Sequence, residues 1–316
     1  MQFLVFIYIK HDGRNLCEGN LMSGNNNNYN TALGIGAGGA TYLCVSKYGA
    51  KPVIKGIMSK WADYTPGEKS VLEGALTRSY NKSGLAAKGV EIVDINPANK
   101  DVAFDKFVKK IDKLLTDFIK VYIKPKDNKK INIVGKDTNV YKNLKKFANG
   151  VAAGKNAFYH TISKQLLINK KEFSFAGFHE LGHAINANMN PWTNALHWGR
   201  HGFAFLAPVA LVVGLLKEKK PEGEKPKNFM DKVETFTKDN CGKVVFMAMV
   251  PTLAEEGLAS INGHKLAKSV LKPDLLKKLA KTNALAWGTY FASAVAMGVG
   301  ANLAVKVKDR IAQNKN

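Results

Sequence analysis

Residues 173–186 read FSFAGFHELGHAIN, and the rest of the chain is interpreted outward from this stretch. Residues four apart lie on one face of a helix, so His179 and His183 can direct two imidazoles toward the same point. The apolar residues around them predict a helix packed in a core, and Gly182 leaves room for backbone or substrate to approach. The HELGH turn therefore predicts a helix that ligates a metal ion through two histidines.

Glu180 lies between these histidines and is not needed as a ligand. A carboxylate in that position can take a proton from metal-activated water and pass it to a leaving amine. Two histidines on an ordinary surface helix are the alternative, and a third ligand would exclude it. The stretch LAEEGLAS, residues 253–260, offers Glu256 or Glu255 as that ligand. Together the motifs predict a Zn²⁺ site with Glu180 as general base and acid.

The order of these motifs resembles that of the membrane gluzincins, which include the CAAX prenyl endoprotease and the bacterial heat-shock membrane protease. The resemblance covers roughly residues 155–264. It implies a zinc metallopeptidase with a zincin-like core, and it favours Glu256, because the family's ligand glutamate begins an E-x-x-A-D pattern. Here that pattern ends at Ser260, where the family's aspartate hydrogen-bonds a ligating histidine. Orientation of that histidine is then either weaker or supplied by another residue.

The resemblance also implies a substrate-binding edge strand that begins at Asn156, Ala157 and Phe158. Main-chain hydrogen bonds along such an edge hold an extended peptide or protein substrate without demands on its sequence.

Four side chains are candidates for stabilising the oxyanion of a tetrahedral intermediate. His264, eight residues beyond Glu256, is the one predicted to be catalytic. A structural role is the alternative for each of them. The other three are His197, His201 and Tyr159.

The net charge of +22 would ordinarily suggest nucleic acid as a partner. Only four of the 47 basic residues are arginines, however, and arginine is the side chain that reads base edges. Nucleic-acid binding is therefore not favoured. The three cysteines are widely spaced and form neither a disulfide framework nor a CxxC metal clip.

The sequence patterns predict a mostly helical α+β protein with a few strands before the histidine helix and several hydrophobic helices that are candidates for crossing a membrane. Strands are expected at 89–95 and 131–135, and a helix over 105–122. The predicted regions follow in chain order. They are a flexible segment 1–30 with a possible start at Met22, a candidate anchor 31–48, a soluble region 49–150, a catalytic region 151–282 interrupted by a hydrophobic hairpin 203–254, a transmembrane helix 283–305 and a basic tail 306–316.

Residues 283–305 carry no formal charge, and 23 residues suffice to cross a bilayer. The apolar runs 203–216 and 244–254 are shorter and are either spans or buried helices. Residues 265–281 carry six lysines and one aspartate, so the positive-inside rule predicts a cytoplasmic catalytic face. Two alternatives to a membrane-associated peptidase stay open: a membrane scaffold or pseudoenzyme with a structural zinc site, and a soluble peptidase whose apolar segments form its core.

Overall fold

The computed structural model describes residues 63–122, 134–136, 138–220 and 223–313, and within them the protein is a mostly helical α+β fold with one small sheet. The predicted fold class is confirmed at this level. The flexible segment with its alternative start at Met22, the candidate anchor 31–48 and residues 131–133 of the second predicted strand lie outside the described residues.

The described chain contains eight α-helices and three strands. The predicted helix over 105–122 lies within the second helix, and the predicted strand 89–95 contains the first strand. In chain order they are α1 (Pro66–Lys82), β1 (Glu91–Asp94), α2 (Lys100–Tyr122), α3 (Asn139–Ala152), β2 (Ala157–His160), β3 (Gln165–Ile168), α4 (Lys170–Asn188), α5 (Pro191–Leu216), α6 (Phe229–Asp239), α7 (Cys241–Lys268) and α8 (Pro273–Gln313).

The described residues divide into two compact units. The sheet unit comprises residues 63–198 and 253–288, and the apolar unit comprises 199–252 and 289–313. Helices α5, α7 and α8 contribute residues to both units.

The sheet has the order β1-β3-β2, in which β1 runs parallel and β2 antiparallel to the central β3. All four residues of β3 are buried. Leu166 and Ile168 join a core cluster with α1 and α4, whereas Leu167 joins a second cluster with α2 and α3. Because helices cover both faces, Leu166, Leu167 and Ile168 form a continuous apolar run rather than an alternating one, and Gln165 at the start of β3 is a buried polar residue. Within the described chain, β2 keeps one unpaired edge.

The start of α4 is tied to the two elements beside it. Asn169 caps the helix by accepting the Glu172 N–H at 3.2 Å, and its amide donates to the Ala152 carbonyl at 2.7 Å. Asp94, at the end of β1, accepts the Lys170 N–H at 2.9 Å. These bonds hold the first turn of α4 against the ends of β1 and α3, and non-helical backbone at Phe173 then separates this turn from the part of α4 that carries the HELGH turn.

The three long helices extend well beyond the apolar runs seen in the sequence. Helices α5, α7 and α8 contain 26, 28 and 41 residues, and each is long and apolar enough to cross a membrane. The runs 203–216 and 244–254 are thus parts of longer helices, and the predicted basic tail is helical as far as Gln313. The protein therefore has three helices consistent with membrane association.

Glycines let α7 and α8 approach closely in the apolar unit. A Cβ on Gly242 would lie 2.5 Å from the Gly298 carbonyl oxygen, and a Cβ on Gly298 would lie 2.8 Å from the Gly242 oxygen. Backbone contact at small residues is a common way in which membrane helices pack.

His160, the last residue of β2, is held in its neutral form. Its Nδ1 accepts the Ser163 N–H at 3.2 Å, and its ring packs edge-on against Phe107 with centroids 5.3 Å apart. Burial lowers the pKa of His160 from 6.5 to about 4. Between these two pH values the unfolded chain binds a proton at His160 that the folded protein does not.

We therefore expect His160 to reduce stability as the pH falls from about 6.5 toward about 4. In His160→Asn, the amide oxygen can take the place of the Nδ1 acceptor without titrating. This variant should have a lower Tm at neutral pH, because ring packing is lost, but a Tm that depends less on pH. Thermal unfolding followed by circular dichroism at about pH 7 and about pH 5 measures both effects. Equal pH dependence in the two proteins would contradict the assignment.

Candidate metal centre

Helices α4 and α7 cross in backbone contact at two glycines. A Cβ on Gly182 would lie 1.9 Å from the Ala259 carbonyl oxygen, and a Cβ on Gly263 would lie 2.1 Å from the Phe178 oxygen. No other residue type fits at either position without moving a helix. The space beside Gly182 is therefore taken by the backbone of α7, which brings the glutamates of α7 level with the histidines of α4.

Three side-chain atoms converge at this crossing. His179 Nε2 lies 3.0 Å from His183 Nε2 and 3.2 Å from Glu256 Oε2, and His183 Nε2 lies 3.5 Å from Glu256 Oε2. Ligand atoms bound tetrahedrally to Zn²⁺ at about 2.0–2.1 Å are separated by about 3.3 Å. The triangle thus has the size that one zinc ion requires. The side chains of His183 and Glu256 are buried, and that of His179 is 15% exposed.

Hydrogen bonds on the far side of each imidazole determine which nitrogen faces the triangle. His183 Nδ1 lies 2.9 Å from Glu255 Oε1, and His179 Nδ1 lies 3.0 Å from Ser260 Oγ. If each Nδ1–H donates to its partner, both Nε2 lone pairs point at the Glu256 carboxylate. Three acceptors this close together repel one another unless a cation lies between them.

A proton can substitute for that cation. Burial lowers the pKa of His183, but Glu255 and Glu256 raise it more, to about 10. Metal binding would have to displace this proton, so affinity for a metal should fall as the pH is lowered.

Glu255 organises the residues behind His183. Besides the His183 contact, its Oε1 lies 2.7 Å from His197 Nδ1 and accepts from the Asn186 amide at 3.3 Å. His197 in turn places its Nε2 2.7 Å from Thr161 Oγ1. His183, His197 and Glu255 could themselves hold a metal ion by proximity. In this group the Nδ1 atoms of both histidines already face Glu255 Oε1, the histidines as donors and the carboxylate as acceptor. The group is therefore better suited to orienting His183 than to binding an ion.

Glu180 connects the metal centre to the sheet. Its Oε2 accepts the Tyr159 N–H at 2.7 Å, and its carboxylate lies within 4.8 Å of nitrogens of both His179 and His183. In an antiparallel strand the N–H and C=O of one residue point the same way, so the outer edge of β2 faces Glu180.

Strand β2 forms where the sequence predicts a substrate-binding strand. Ala157 and Phe158 are its first two residues, and Asn156 directly precedes it. Asn156 Oδ1 accepts the Ala157 N–H at 3.0 Å, whereas Phe158 packs edge-on against Phe107 and Phe147 in the core. Ala157 and Tyr159 share the outer edge, because residues two apart point the same way. That residues 156–158 hold substrate stays a prediction.

The oxyanion candidates differ in what surrounds them. His197 has both ring nitrogens engaged, and the Tyr159 hydroxyl accepts from the Asn188 amide at 2.8 Å. His201 lies in the apolar unit. His264 has a buried Nδ1 without a hydrogen-bond partner among the described residues, and its catalytic role stays a prediction.

The group around Glu255 escaped sequence analysis. The pair of adjacent glutamates is the sequence feature that could have predicted this group. Neighbouring residues on a helix point about 100° apart, so Glu255 and Glu256 can contact one histidine from two sides. Nothing local distinguishes Thr161 or Asn186 from ordinary polar residues.

Comparisons with protein-family models, with curated proteins and with solved structures find no match to this chain.

The helix crossing can be tested with a single methyl group. Gly182→Ala should destabilise the protein by about 3 kcal/mol or more and abolish metal binding, because α4 and α7 must separate. Gly150→Ala is the matched control, since a Cβ there meets nothing within 4 Å and should stabilise by about 0.5–1 kcal/mol. Chemical unfolding and metal content measure both. A Gly182→Ala protein as stable as the control would contradict the contact.

The two neighbouring glutamates should behave differently toward zinc. Glu256→Gln should remove the ion, because a ligand is lost. Glu255→Gln should keep about one zinc per chain but weaken binding about 10- to 100-fold, because it only orients His183. Elemental analysis and competition with a chromogenic chelator measure the two effects, with the exposed Glu172→Gln as control. Loss of zinc from Glu255→Gln alone would reverse the assignment.

Proposed function

We propose that this protein is a membrane-associated, zinc-dependent peptidase. The observation that supports this most strongly is the convergence of His179 Nε2, His183 Nε2 and Glu256 Oε2 on one point, with the Glu180 carboxylate beside them.

The donor set favours a catalytic zinc site over a structural one. Two imidazoles and one carboxylate form a common catalytic ligand set, whereas structural sites are closed by four protein ligands. Among the described residues, the Glu180 carboxylate also lies close enough to His179 and His183 to contact an ion held by them, but it accepts a hydrogen bond from β2. The partial exposure of His179 leaves one side of the centre accessible to water and substrate.

Zinc, when bound at these residues, supplies a Lewis acid that activates water and polarises a carbonyl. Glu180 provides the acid–base chemistry. Its Oε2 is held by the Tyr159 N–H, which leaves Oε1 to accept a proton from the attacking water and return it to the leaving amine. No acyl-enzyme forms, so reagents against serine or cysteine should not inhibit, whereas chelators should.

The outer edge of β2 suits an extended peptide. On this edge the N–H groups of Ala157 and Tyr159 already donate to Asn156 Oδ1 and Glu180 Oε2, so the edge offers a peptide the carbonyl groups of these two residues. A peptide added there as a further strand would place its backbone next to the acid–base residue. The choice of substrate would then depend little on the side chains of the peptide.

Three span-capable helices support action at a membrane rather than in solution. Only 28% to 39% of the residues in their apolar windows are buried, so much of this apolar surface faces outward, where lipid could contact it. The lysine excess of residues 265–281 favours a cytoplasmic catalytic face.

Replacing the proposed base separates catalysis from metal binding. Glu180→Gln keeps the shape of the side chain and its contact with Tyr159, so about one zinc per chain should stay bound. Turnover should fall at least about 100-fold, because the proton acceptor is lost. Cleavage of a quenched fluorescent peptide library by detergent-solubilised protein, together with elemental analysis, measures both.

Glu172→Gln, on the same helix, is the control and should retain full activity. If Glu180→Gln also retains the biological function of the wild type, or if zinc-loaded wild type cleaves no peptide in the library, the site is structural and the protein is a scaffold.

A further inference from the structure

Helix α6 is amphipathic with its faces reversed. Its apolar side chains point outward: Phe229, Met230, Val233 and Phe236 are 75%, 62%, 42% and 61% exposed. A surface helix of a soluble protein turns such residues toward the core and its charged residues toward water. Because α6 does the opposite, the medium that surrounds it is expected to be apolar.

Three charged residues of α6, Asp231, Glu234 and Lys238, form ion pairs with other residues of the apolar unit, whereas Lys232 and Asp239 are exposed. Asp231 lies 2.6 Å from Lys217 Nζ and 2.5 Å from Lys220 Nζ, and Glu234 lies 2.7 Å from Lys217 Nζ. These contacts attach α6 to the segment that follows α5. Charges that are paired with one another are the arrangement expected of ionisable groups close to a membrane.

Lys238 makes the second attachment. It is buried, lies 2.6 Å from Asp309 Oδ1 and donates to the Gly214 carbonyl at 3.1 Å, so α6 touches the ends of both α5 and α8. Non-helical backbone at Asn240 then separates α6 from α7. Helix α6 is therefore a separate element that is held against the ends of α5 and α8 and does not continue into α7.

The end of the apolar unit at which α6 lies is where the three span-capable helices meet. A Cβ on Gly214 of α5 would be 2.9 Å from both Cys241 Sγ of α7 and Val305 Cγ2 of α8. These helices also expose apolar side chains, at Val209, Val212 and Leu216 of α5 and at Val299 and Leu303 of α8.

We propose that α6 is an in-plane membrane helix whose face of Phe229, Met230, Val233 and Phe236 contacts lipid acyl chains at the bilayer interface. At 11 residues it is about 16 Å long, too short to cross a hydrocarbon core of about 30 Å. An apolar helix face buried at the acyl boundary is the established arrangement for interfacial helices. Exposed lysines just before α6, at 225 and 227, lie where lipid phosphates would meet them.

This membrane contact is independent of zinc and of Glu180. It adds a fourth membrane-contacting element, which length alone does not reveal, and it anchors the connection between α5 and α7.

Site-directed spin labelling of the full chain in phosphatidylcholine and phosphatidylglycerol vesicles tests the proposal. Phe236→Cys and, separately, Met230→Cys are made in a Cys17→Ser, Cys44→Ser, Cys241→Ala background. Lys225→Cys, on the loop before α6, is the control. Collision with oxygen, which concentrates in hydrocarbon, is compared with collision with a polar nickel chelate, which is excluded from it.

In vesicles the labels at 236 and 230 should collide more with oxygen than with the nickel chelate, and the label at 225 should show the reverse order. Labels at 236 and 230 that meet the nickel chelate as freely as the control would place the face in water. Labels shielded from both reagents and immobilised would show that protein covers the face, either residues 1–54 or a second copy. Either of these results would overturn the proposal.

Discussion

The crossing of α4 and α7 at Gly182 and Gly263 is the contact on which the site depends. Each glycine faces a carbonyl oxygen of the other helix at a distance that excludes even a methyl group. Close approach of two backbones shortens the distance that side chains must span. The side-chain atoms of His179, His183 and Glu256 therefore meet within 3.5 Å of one another, held by a rigid helix crossing, as a precise ligand site requires.

Positioning of α4 begins in the sheet. Asn169 and Asp94 tie the first turn of the helix to the ends of α3 and β1, and the Tyr159 N–H returns from β2 to hold Glu180. Glu180, the proposed acid–base residue, and the outer edge of β2 are thus linked by one hydrogen bond. A peptide that pairs with this edge would be placed relative to Glu180 by the same strand that positions Glu180.

Behind the triangle, Glu255 serves a purpose different from that of its neighbour Glu256. It is completely buried and balanced by donors from His183, His197 and Asn186, and without them a buried carboxylate would be costly. Ser260 provides a weaker, neutral partner for His179. The two histidines are therefore oriented unequally, His183 by a carboxylate and His179 by a hydroxyl, which should make His183 the stronger donor to a metal.

Local sequence determined those features that depend on residues near one another in the chain. The i, i+4 spacing of the histidines, the helix over 105–122, the strand within 89–95 and the apolar character of 283–305 follow from helical and strand periodicity, which needs no knowledge of partners. The mostly helical α+β class followed from the same patterns.

Tertiary structure alone decided which distant groups meet. A sequence shows two adjacent glutamates, but only the helix crossing places Glu256 among the Nε2 atoms and Glu255 behind His183. Likewise, the amphipathic pattern of α6 is visible in sequence, whereas its reversed orientation is not. Periodicity separates the two faces of a helix, but long-range contacts such as that of Lys238 with Asp309 determine which face points inward.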